Sequence, residues 1–232
     1  MPRVLVLGAA AMDTLVRVRE FPQTDGIVYP EEVLRLPGGS AANVAVALCR
    51  LGANVTFLGT VGADADGAAI RQAFLDEGAD VSGLLALSGG RSAGAFIAVN
   101  ANGERIMYSL GGDAVYTDVS QLDSVDFACG ALYIAEAFTE VGAEAARRAK
   151  AHGAKVFFAP GGVMCGFGLN ELLPLVQAAD TVLLSEPELE LLTGKKDAKF
   201  GADVLFASGA KAVAVTQGAR GASLFLPGGF VY

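Results

Sequence analysis

Residues 38–67 read GGSAANVAVALCRLGANVTFLGTVGADADG and decide the fold. The Gly-Gly pair leads into an expected helix, Ser40 to Leu51, with Ser40 as a candidate N-cap and Gly52 at its end. A strand from Val55 to Gly59 is expected to follow. Glycine lets a ligand approach the backbone, and the first-turn amides of a helix attract ligand oxygens. The start of this helix is therefore a candidate site for binding hydroxyl groups.

Outward from this segment, apolar strands alternate with helices. Val4 to Leu7 is a continuous apolar run, which is typical of a strand buried on both faces. The alternation predicts an α/β fold with a mainly parallel central sheet and helices on both faces. Ligands of such folds bind beyond the carboxyl ends of the strands. The sequence places there Gly8, Gly59, Glu136, Ser185 and Thr216.

Two segments depart from this alternation. Residues 15–36 contain short alternating runs and two prolines, and residues 95–110 surround an Asn-Gly pair that is typical of a β-hairpin. We expect both to leave the parallel core and to form a small β lid. The whole chain, residues 1–232, is otherwise expected to be one domain.

Composition narrows the class of protein. A net charge of −8 argues against a nucleic-acid partner, and the three cysteines are too far apart to suggest a disulfide framework. No apolar run reaches the roughly 18 residues of a membrane-spanning helix. The apolar N-terminus resembles a signal peptide, but a buried first strand explains it better, so we expect a cytoplasmic protein without a membrane partner.

Several chemistries have no support in the sequence. It contains no P-loop, no nucleophile elbow and no Cys/His metal cluster. The single histidine, His152, lies at a predicted helix end and is expected to be a surface or cap residue. A Rossmann-type oxidoreductase is the alternative from another class, but Gly8-Ala9-Ala10-Ala11 lacks the required glycine pattern.

The first candidate constellation joins Asp13, Gly38, Gly39 and Asn43. A carboxylate accepts hydrogen bonds from neighbouring hydroxyls, and an asparagine amide both donates and accepts. Taken singly, Asp13 capping a turn and Asn43 satisfying local backbone explain these residues as well. The glycine series at 59, 62 and 67 is a weaker signal, and we interpret Asp64 within it as a helix cap rather than part of a phosphate loop.

Two further groups lie after later strands. Ser185-Glu186-Pro187-Glu188 is either a functional carboxylate cluster or the acidic first turn of a helix. Thr216-Gln217-Gly218-Ala219-Arg220-Gly221 is either a ligand-binding turn or a simple connection between two strands.

Together these groups resemble the ribokinase-like (PfkB-type) carbohydrate kinases over essentially all 232 residues. The resemblance implies an ATP-dependent kinase that phosphorylates a hydroxymethyl group of a sugar or nucleoside. Asp13, Gly38, Gly39 and Asn43 would bind the acceptor, with Glu136 and Arg105 as weaker candidates. For Arg105 a solvated lid charge is the competing interpretation.

The resemblance also implies the phosphate side of the site. Ser185, Thr216, Gly218 and Gly221 would contact ATP, and Glu188 would hold the water shell of Mg²⁺. A single carboxylate suffices, because magnesium keeps several waters. A monovalent cation is an additional candidate cofactor, and a homodimer formed through the lid is the expected assembly.

The chain departs from the family pattern at several positions. Ala11 replaces the asparagine of ribokinase itself, so the acceptor stays open, while Ser185 and Ala159 replace an asparagine and an aspartate. The family's second signature, which ends in the catalytic aspartate, is not in the sequence. We expect that base beyond Tyr232 and name no catalytic residue in residues 1–232. The alternative is a catalytically inactive sugar- or nucleoside-binding protein.

Overall fold

The chain forms two β-sheets and seven α-helices over residues 3–231, the part that this computed structural model describes. The strands are β1 (Arg3–Gly8), β2 (Ala11–Arg17), β3 (Glu32–Gly38), β4 (Asn54–Gly62), β5 (Asp80–Leu87), β6 (Gly94–Val99), β7 (Arg105–Gly111), β8 (Ala131–Ala135), β9 (Lys155–Ala159), β10 (Thr181–Ser185), β11 (Val213–Thr216), β12 (Ala222–Leu226) and β13 (Gly229–Val231). The helices are α1 (Ser40–Arg50), α2 (Ala65–Asp76), α3 (Thr139–Ala151), α4 (Gly161–Cys165), α5 (Leu169–Ala178), α6 (Glu186–Thr193) and α7 (Ala198–Ala207).

The central sheet has nine strands in the order β13-β12-β11-β10-β9-β8-β1-β4-β5. Every pairing from β11 to β5 is parallel, and the β11–β12 and β12–β13 pairings at one edge are antiparallel, so that β12 alone of these strands runs against the others. The α/β fold class predicted from the sequence is therefore confirmed. Among residues 3–231, no helix combines the length and apolar character needed to cross a membrane.

Helices cover the two faces of this sheet unequally. The apolar residues of α1 and α2 pack on one face around β1, β4 and β5, where the rings of Phe57 and Phe74 stack with centroids 4.4 Å apart. The apolar residues of α3, α5, α6 and α7 cover the other face. On the first face, Phe157, Leu183 and Ala214 belong to neither core cluster and are only partly buried. The half of the sheet from β9 to β12 is thus open on that side within the described chain.

The second sheet, hereafter the lid sheet, has the order β3-β2-β6-β7. It unites the two segments that leave the parallel core, and β6 and β7 form the expected hairpin. One face carries Asp13 in a row with Leu36, Ala95 and Ser109 (the Asp13 face). The other face carries Arg35, which forms an ion pair of 2.7 Å with Asp66 of α2 (the Arg35 face). The lid sheet is thereby attached to the α/β body through α2.

Three details differ from the sequence-based expectations. Ser40 is not the N-cap of α1: that position is Gly39, no side chain caps the helix, and the Ser40 hydroxyl bonds Glu136 instead. Gly59 lies inside β4 rather than at its end, because β4 continues to Gly62 by pairing with β5. The strand β5 itself was not predicted, since Asp80, Ser82 and Gly83 interrupt its apolar pattern.

Asp64 is the N-cap of α2, as predicted. Its Oδ1 accepts the Gly67 N–H at 2.7 Å and the Ser92 hydroxyl at 2.7 Å, and its Oδ2 accepts the Ser92 N–H at 2.8 Å. The bonds from Ser92, followed by that from Gly67, lower the pKa of Asp64 to about 2. The contacts of Asp64 with Gly67 and Ser92 therefore support a structural role for the Gly59–Gly67 segment.

Replacing Asp64 with alanine should destabilise the protein by about 1–2 kcal/mol at pH 7, because a helix cap and two bonds to Ser92 are lost. A lowered pKa means that this stabilisation is complete above the unfolded-state pKa of about 3.9 and is lost as the pH falls toward about 2. Denaturant unfolding of Asp64→Ala and wild type at pH 7 and near pH 2.5 measures both effects.

The matched control is Asp76→Ala, which removes a carboxylate at the other end of α2 whose hydrogen-bond partner within residues 3–231 is Gln72. We expect its effect to stay within about 0.5 kcal/mol. An equal loss for Asp64→Ala at both pH values would contradict the assignment.

Candidate active site

Gly39 lies so close to the β1–β2 connection that no side chain fits there. A Cβ at this position would stand 2.6 Å from the Ala9 carbonyl oxygen and 2.8 Å from the Ala10 Cα. Its φ of +106° is also in the region that favours glycine. The Ala42 N–H donates to the same Ala9 carbonyl at 3.2 Å. The start of α1 is therefore held directly against the end of β1.

Asp13 projects from β2 over Gly38. A Cβ on Gly38 would lie 2.2 Å from the Asp13 Oδ2, so glycine makes the room that the carboxylate occupies. Burial raises the pKa of Asp13, and a backbone hydrogen bond to Ala95 acts in the opposite direction. Asp13 has no ion-pair partner among residues 3–231. It is a carboxyl group able to accept hydrogen bonds from a ligand.

Glu136 stands on the other side of the same glycine segment. It follows directly on Ala135, which pairs with Gly8 at the ends of β8 and β1. The Ser40 hydroxyl donates to Glu136 Oε2 at 2.6 Å. Glu136 has a φ of +52°, a conformation that costs a non-glycine residue on the order of 1–2 kcal/mol. Such strain persists where surrounding structure imposes it, and it occurs most often at functional sites.

The side chains of Asn43 and Arg105 form no hydrogen bond with the other predicted site residues in the part of the chain that the structure describes. Asn43, in the first turns of α1, is exposed and lines a groove with Pro37, and its side chain has no hydrogen-bond partner among residues 3–231. Arg105 begins β7 on the Asp13 face and is also exposed. It is four residues from Ser109, which shares a row with Asp13, so their Cα atoms are about 13 Å apart along the strand. Arg105 therefore belongs to the outer rim of the lid sheet.

A second group of predicted residues meets at the ends of β10 and β11. Ser185 and Thr216 are direct neighbours in the parallel pairing of these strands. The turn after Thr216 contains Gly218 at φ +60° and Gly221 at φ +93°, and a Cβ on either would meet nothing within 4 Å. The glycines are thus required by the backbone conformation, and the space around them is open to a ligand.

The glycine turn is fixed to α6 by contacts that the sequence did not predict. Gln217 donates to Glu186 Oε1 at 2.8 Å and accepts from the Ser223 hydroxyl at 2.8 Å, while Arg220 forms an ion pair with Glu186. These residues border a groove of about 390 Å³ that Lys196 and Lys199 also line. The sequence indicated a contact between Glu186 and the Gln217–Arg220 turn only in that both follow strands.

Glu188 closes a capping box at the start of α6. Its Oε2 accepts the Ser185 N–H at 2.7 Å, and the Ser185 hydroxyl accepts the Glu188 N–H at 3.4 Å. The acidic helix turn considered in the sequence analysis is therefore present. The second carboxylate oxygen is not used by this box, so a structural contact and a ligand contact are compatible.

Tyr133 connects the two groups. Its pKa is raised mainly by burial and further by the negative charges of Glu188 and Glu136. Glu188 also contributes, after burial, to raising the pKa of Cys165 to about 12. Glu136, which accepts from Ser40, and Glu188, in the capping box of α6, are thus both close enough to Tyr133 to influence the pKa of its hydroxyl. The structure brings the two predicted halves of the site together at the carboxyl edge of the sheet.

Comparison with known proteins identifies the family of the chain. The model of the pfkB family carbohydrate kinases matches residues 1–232. The chain belongs to this family. It is 29% identical to a ribokinase of Staphylococcus aureus over 94% of this chain and 74% of that protein. It is 30% identical to an ATP-dependent ribose-1-phosphate kinase of Halopiger xanaduensis over 99% of this chain and 75% of that protein.

The solved structures agree. A fructokinase from Xylella fastidiosa with bound ATP superposes with a TM-score of 0.79 at 27% identity, over 99% of this chain and 76% of that one. The protein is accordingly a carbohydrate or nucleoside kinase, which confirms the enzyme class predicted from the sequence.

Glu188 allows a test that separates its capping role from a role toward the nucleotide. Glutamine also completes a capping box, so Glu188→Gln should keep stability within about 0.5 kcal/mol of wild type, whereas Glu188→Ala should lose about 1 kcal/mol. If Glu188 also serves the phosphate side, both variants should need more Mg²⁺ and show kcat/KM lowered about tenfold or more. Thermal unfolding and a Mg²⁺ titration of kinase activity measure these effects. A fully active Glu188→Gln would leave only the capping role.

Proposed function

We propose that this protein transfers the γ-phosphoryl group of ATP to a hydroxymethyl group of a sugar or nucleoside. The observation that carries the proposal is the set of contacts made by Gly38, Gly39 and Ser40. These three consecutive residues contact the Asp13 carboxylate, the end of β1 and the Glu136 carboxylate in turn. Two carboxyl groups at an uncapped helix start form an arrangement suited to a polyhydroxylated ligand.

The acceptor would be bound by the first half of the site, the acceptor half, which consists of Asp13, Gly38, Gly39, Asn43 and Glu136. Asp13 and Glu136 would accept hydrogen bonds from its hydroxyls, and the backbone at Gly38 and Gly39 would lie against it. The free amide of Asn43 would supply a donor and an acceptor from α1. Arg105, at the outer rim, would contact only an acceptor that extends along the Asp13 face. The lid sheet would exclude water from the transferred group and so limit hydrolysis of ATP.

ATP would be bound by the second half of the site, the nucleotide half, which consists of Ser185, Glu188 and the turn from Thr216 to Gly221. Thr216, Gly218 and Gly221 form an open turn that lets phosphates approach the backbone, and Ser185 lies beside Thr216. Family membership and the ATP-bound fructokinase with the same fold support this role. Phosphoryl transfer depends mainly on positioning and on neutralising charge, so the main task of these residues is to align the donor with the acceptor hydroxyl.

Magnesium fits the donor set of this half. No group of three or more histidine, cysteine, aspartate or glutamate residues within residues 3–231 forms a metal cage. Mg²⁺ needs none, because it retains waters and binds the nucleotide phosphates, with one or two carboxylates assisting. The unused oxygen of Glu188 would hold that water shell. The ion would neutralise charge that develops on the transferred phosphoryl group.

The lid sheet would also pair two copies of the chain. Its Arg35 face exposes Val33, Ile106 and Tyr108 by 54%, 40% and 60%. The outer strands β3 and β7 each have one edge without a partner in the described chain. Exposed apolar residues and free strand edges are typical of an interface. A homodimer through this sheet would bury both.

The central test is Asp13→Asn in the intact gene product. Loss of a hydrogen bond to a charged group should weaken acceptor binding by about ten- to a hundredfold, while ATP affinity changes less than about twofold. Because burial raises the pKa of Asp13, acceptor affinity of the wild type should fall as the pH drops through that raised pKa and be constant above it. Asp13→Asn should abolish this dependence. Calorimetric titration from pH 7.5 down to the lowest pH at which the protein stays folded measures all three quantities.

The matched control is Asp25→Asn, an exposed aspartate in the β2–β3 connection whose positive φ asparagine tolerates. It should leave both affinities unchanged. A panel of sugars and nucleosides with ATP and Mg²⁺ should show acceptor-dependent ADP release. Acceptor binding without ADP release would instead support the inactive binding protein, and equal loss of acceptor and ATP affinity in Asp13→Asn would contradict the two-part site.

A further inference from the structure

Helix α4 begins directly against the carboxylate of Glu136. Ala135 and Ala159 are neighbours in the pairing of β8 and β9, so the chain leaves these two strands side by side. A Cβ at Gly161, the first residue of α4, would lie 2.9 Å from Glu136 Oε1 and 3.2 Å from Glu136 Cγ. The Glu136 side chain therefore occupies the space that a larger residue would need at position 161.

The close contact at Gly161 differs in kind from the one at Gly39. A Cβ at Gly39 would meet backbone atoms, whereas the three atoms nearest to a Cβ at Gly161 all belong to the Glu136 side chain. Helix α4 is held in place, because Met164 and Cys165 are buried in the core. A side chain at position 161 would therefore displace the Glu136 carboxylate rather than the helix.

The two carboxylate oxygens of Glu136 have different surroundings. Oε2 accepts the Ser40 hydroxyl at 2.6 Å, while Oε1, on the side of Gly161, has no hydrogen-bond donor within residues 3–231. One oxygen is thus fixed by a hydrogen bond, and the other lies against a glycine with its hydrogen-bonding capacity unused. A carboxylate fixed in this way loses little conformational freedom when a ligand hydroxyl donates to Oε1.

We propose that Gly161, together with Ser40, is a positioning residue that holds the Glu136 carboxylate ready for the acceptor. Ser40 fixes one oxygen, and the missing side chain at position 161 gives the other oxygen room to face the ligand. Gly161 thus affects acceptor binding only through Glu136. This inference rests on the proposed function, in which Glu136 accepts a hydrogen bond from an acceptor hydroxyl.

The backbone alone gives a simpler reason for a glycine at position 161. Gly161 has a φ of +69°, in the region that favours glycine, and Gly168, which precedes α5, has a φ of +88°. A Cβ on Gly168 would meet nothing within 4 Å. The two glycines therefore share the conformational demand, and the contact with Glu136 distinguishes them. Gly168→Ala is accordingly the matched control for Gly161→Ala.

The test compares both alanine variants with the wild type, as intact proteins, by calorimetric titration with ATP and with whichever of ribose, fructose and adenosine the wild type binds. Gly161→Ala should weaken acceptor binding about tenfold, because the displaced carboxylate no longer meets the acceptor hydroxyl, while ATP affinity changes less than about twofold. Gly168→Ala should change neither affinity more than about twofold. Thermal unfolding establishes that each variant is folded. Equal acceptor affinities of the two alanine variants would overturn the inference.

A double-mutant cycle with Glu136→Ala separates positioning from a general disturbance of the site. Once the Glu136 side chain is removed, Gly161→Ala should change acceptor affinity less than about twofold, because the group that it displaces is gone. A tenfold loss in that background as well would refute a role that acts through Glu136. If the wild type binds none of the three acceptors, the proposed function fails and this inference with it, which is a different result from a failure of Gly161→Ala alone.

Ser40→Ala tests the same arrangement from the other side of the carboxylate and adds no atoms. It should weaken acceptor binding about three- to tenfold, because Glu136 loses the hydrogen bond that fixes Oε2, and it should have no further effect in the Glu136→Ala background. This variant decides the matter if Gly161→Ala does not fold. An unchanged acceptor affinity of Ser40→Ala would contradict the positioning of Glu136 by its two neighbours.

Discussion

The close contact between Gly39 and the Ala9–Ala10 backbone is the constraint on which the rest of the site depends. A single Cβ at position 39 would force the start of α1 away from the end of β1. That movement would break the Ser40–Glu136 hydrogen bond and shift Gly38 relative to Asp13. The acceptor half therefore exists because two backbone segments approach each other without a side chain between them.

The nucleotide half is organised differently. Its glycines meet open space instead of a neighbouring backbone, and side-chain contacts from α6 hold its turn in place. Glu188 shows how a structural role and a ligand role can coincide, because a carboxylate has two oxygens and the capping box uses one. The negative charges of both Glu188 and Glu136 contribute, after burial, to the raised pKa of Tyr133, so the two halves share one electrostatic environment.

Much of this fold could be predicted from the sequence because local patterns determine it. Continuous apolar runs gave the parallel strands, and the Asn-Gly pair gave the β6–β7 hairpin. Asp64 was recognisable as a cap because capping is a contact over three residues. The strand β5 escaped prediction because polar residues interrupt its pattern and its stability comes from pairing with β4.

The contacts of the site were harder to predict, since they join residues far apart in the chain. Ser40 and Glu136 are separated by 96 positions, and Glu186 and Arg220 by 34. A serine after a glycine pair at a helix start resembles a cap, and nothing in the sequence near Ser40 indicates that its partner is Glu136. Sequence spacing suggested which residues matter, but the partner of each side chain depends on the tertiary fold.

A crystal structure of the intact protein with a sugar or nucleoside acceptor and a non-hydrolysable ATP analogue would show directly whether the acceptor lies at the Gly38–Ser40 segment and the nucleotide at the glycine turn. Acceptor hydroxyls are expected within about 3.2 Å of the Asp13 and Glu136 carboxylates, with the nucleotide phosphates against the turn from Thr216 to Gly221. The acceptor hydroxymethyl group should point toward the γ-phosphate. An acceptor bound away from the Gly38–Ser40 segment, or a nucleotide in its place, would contradict the account.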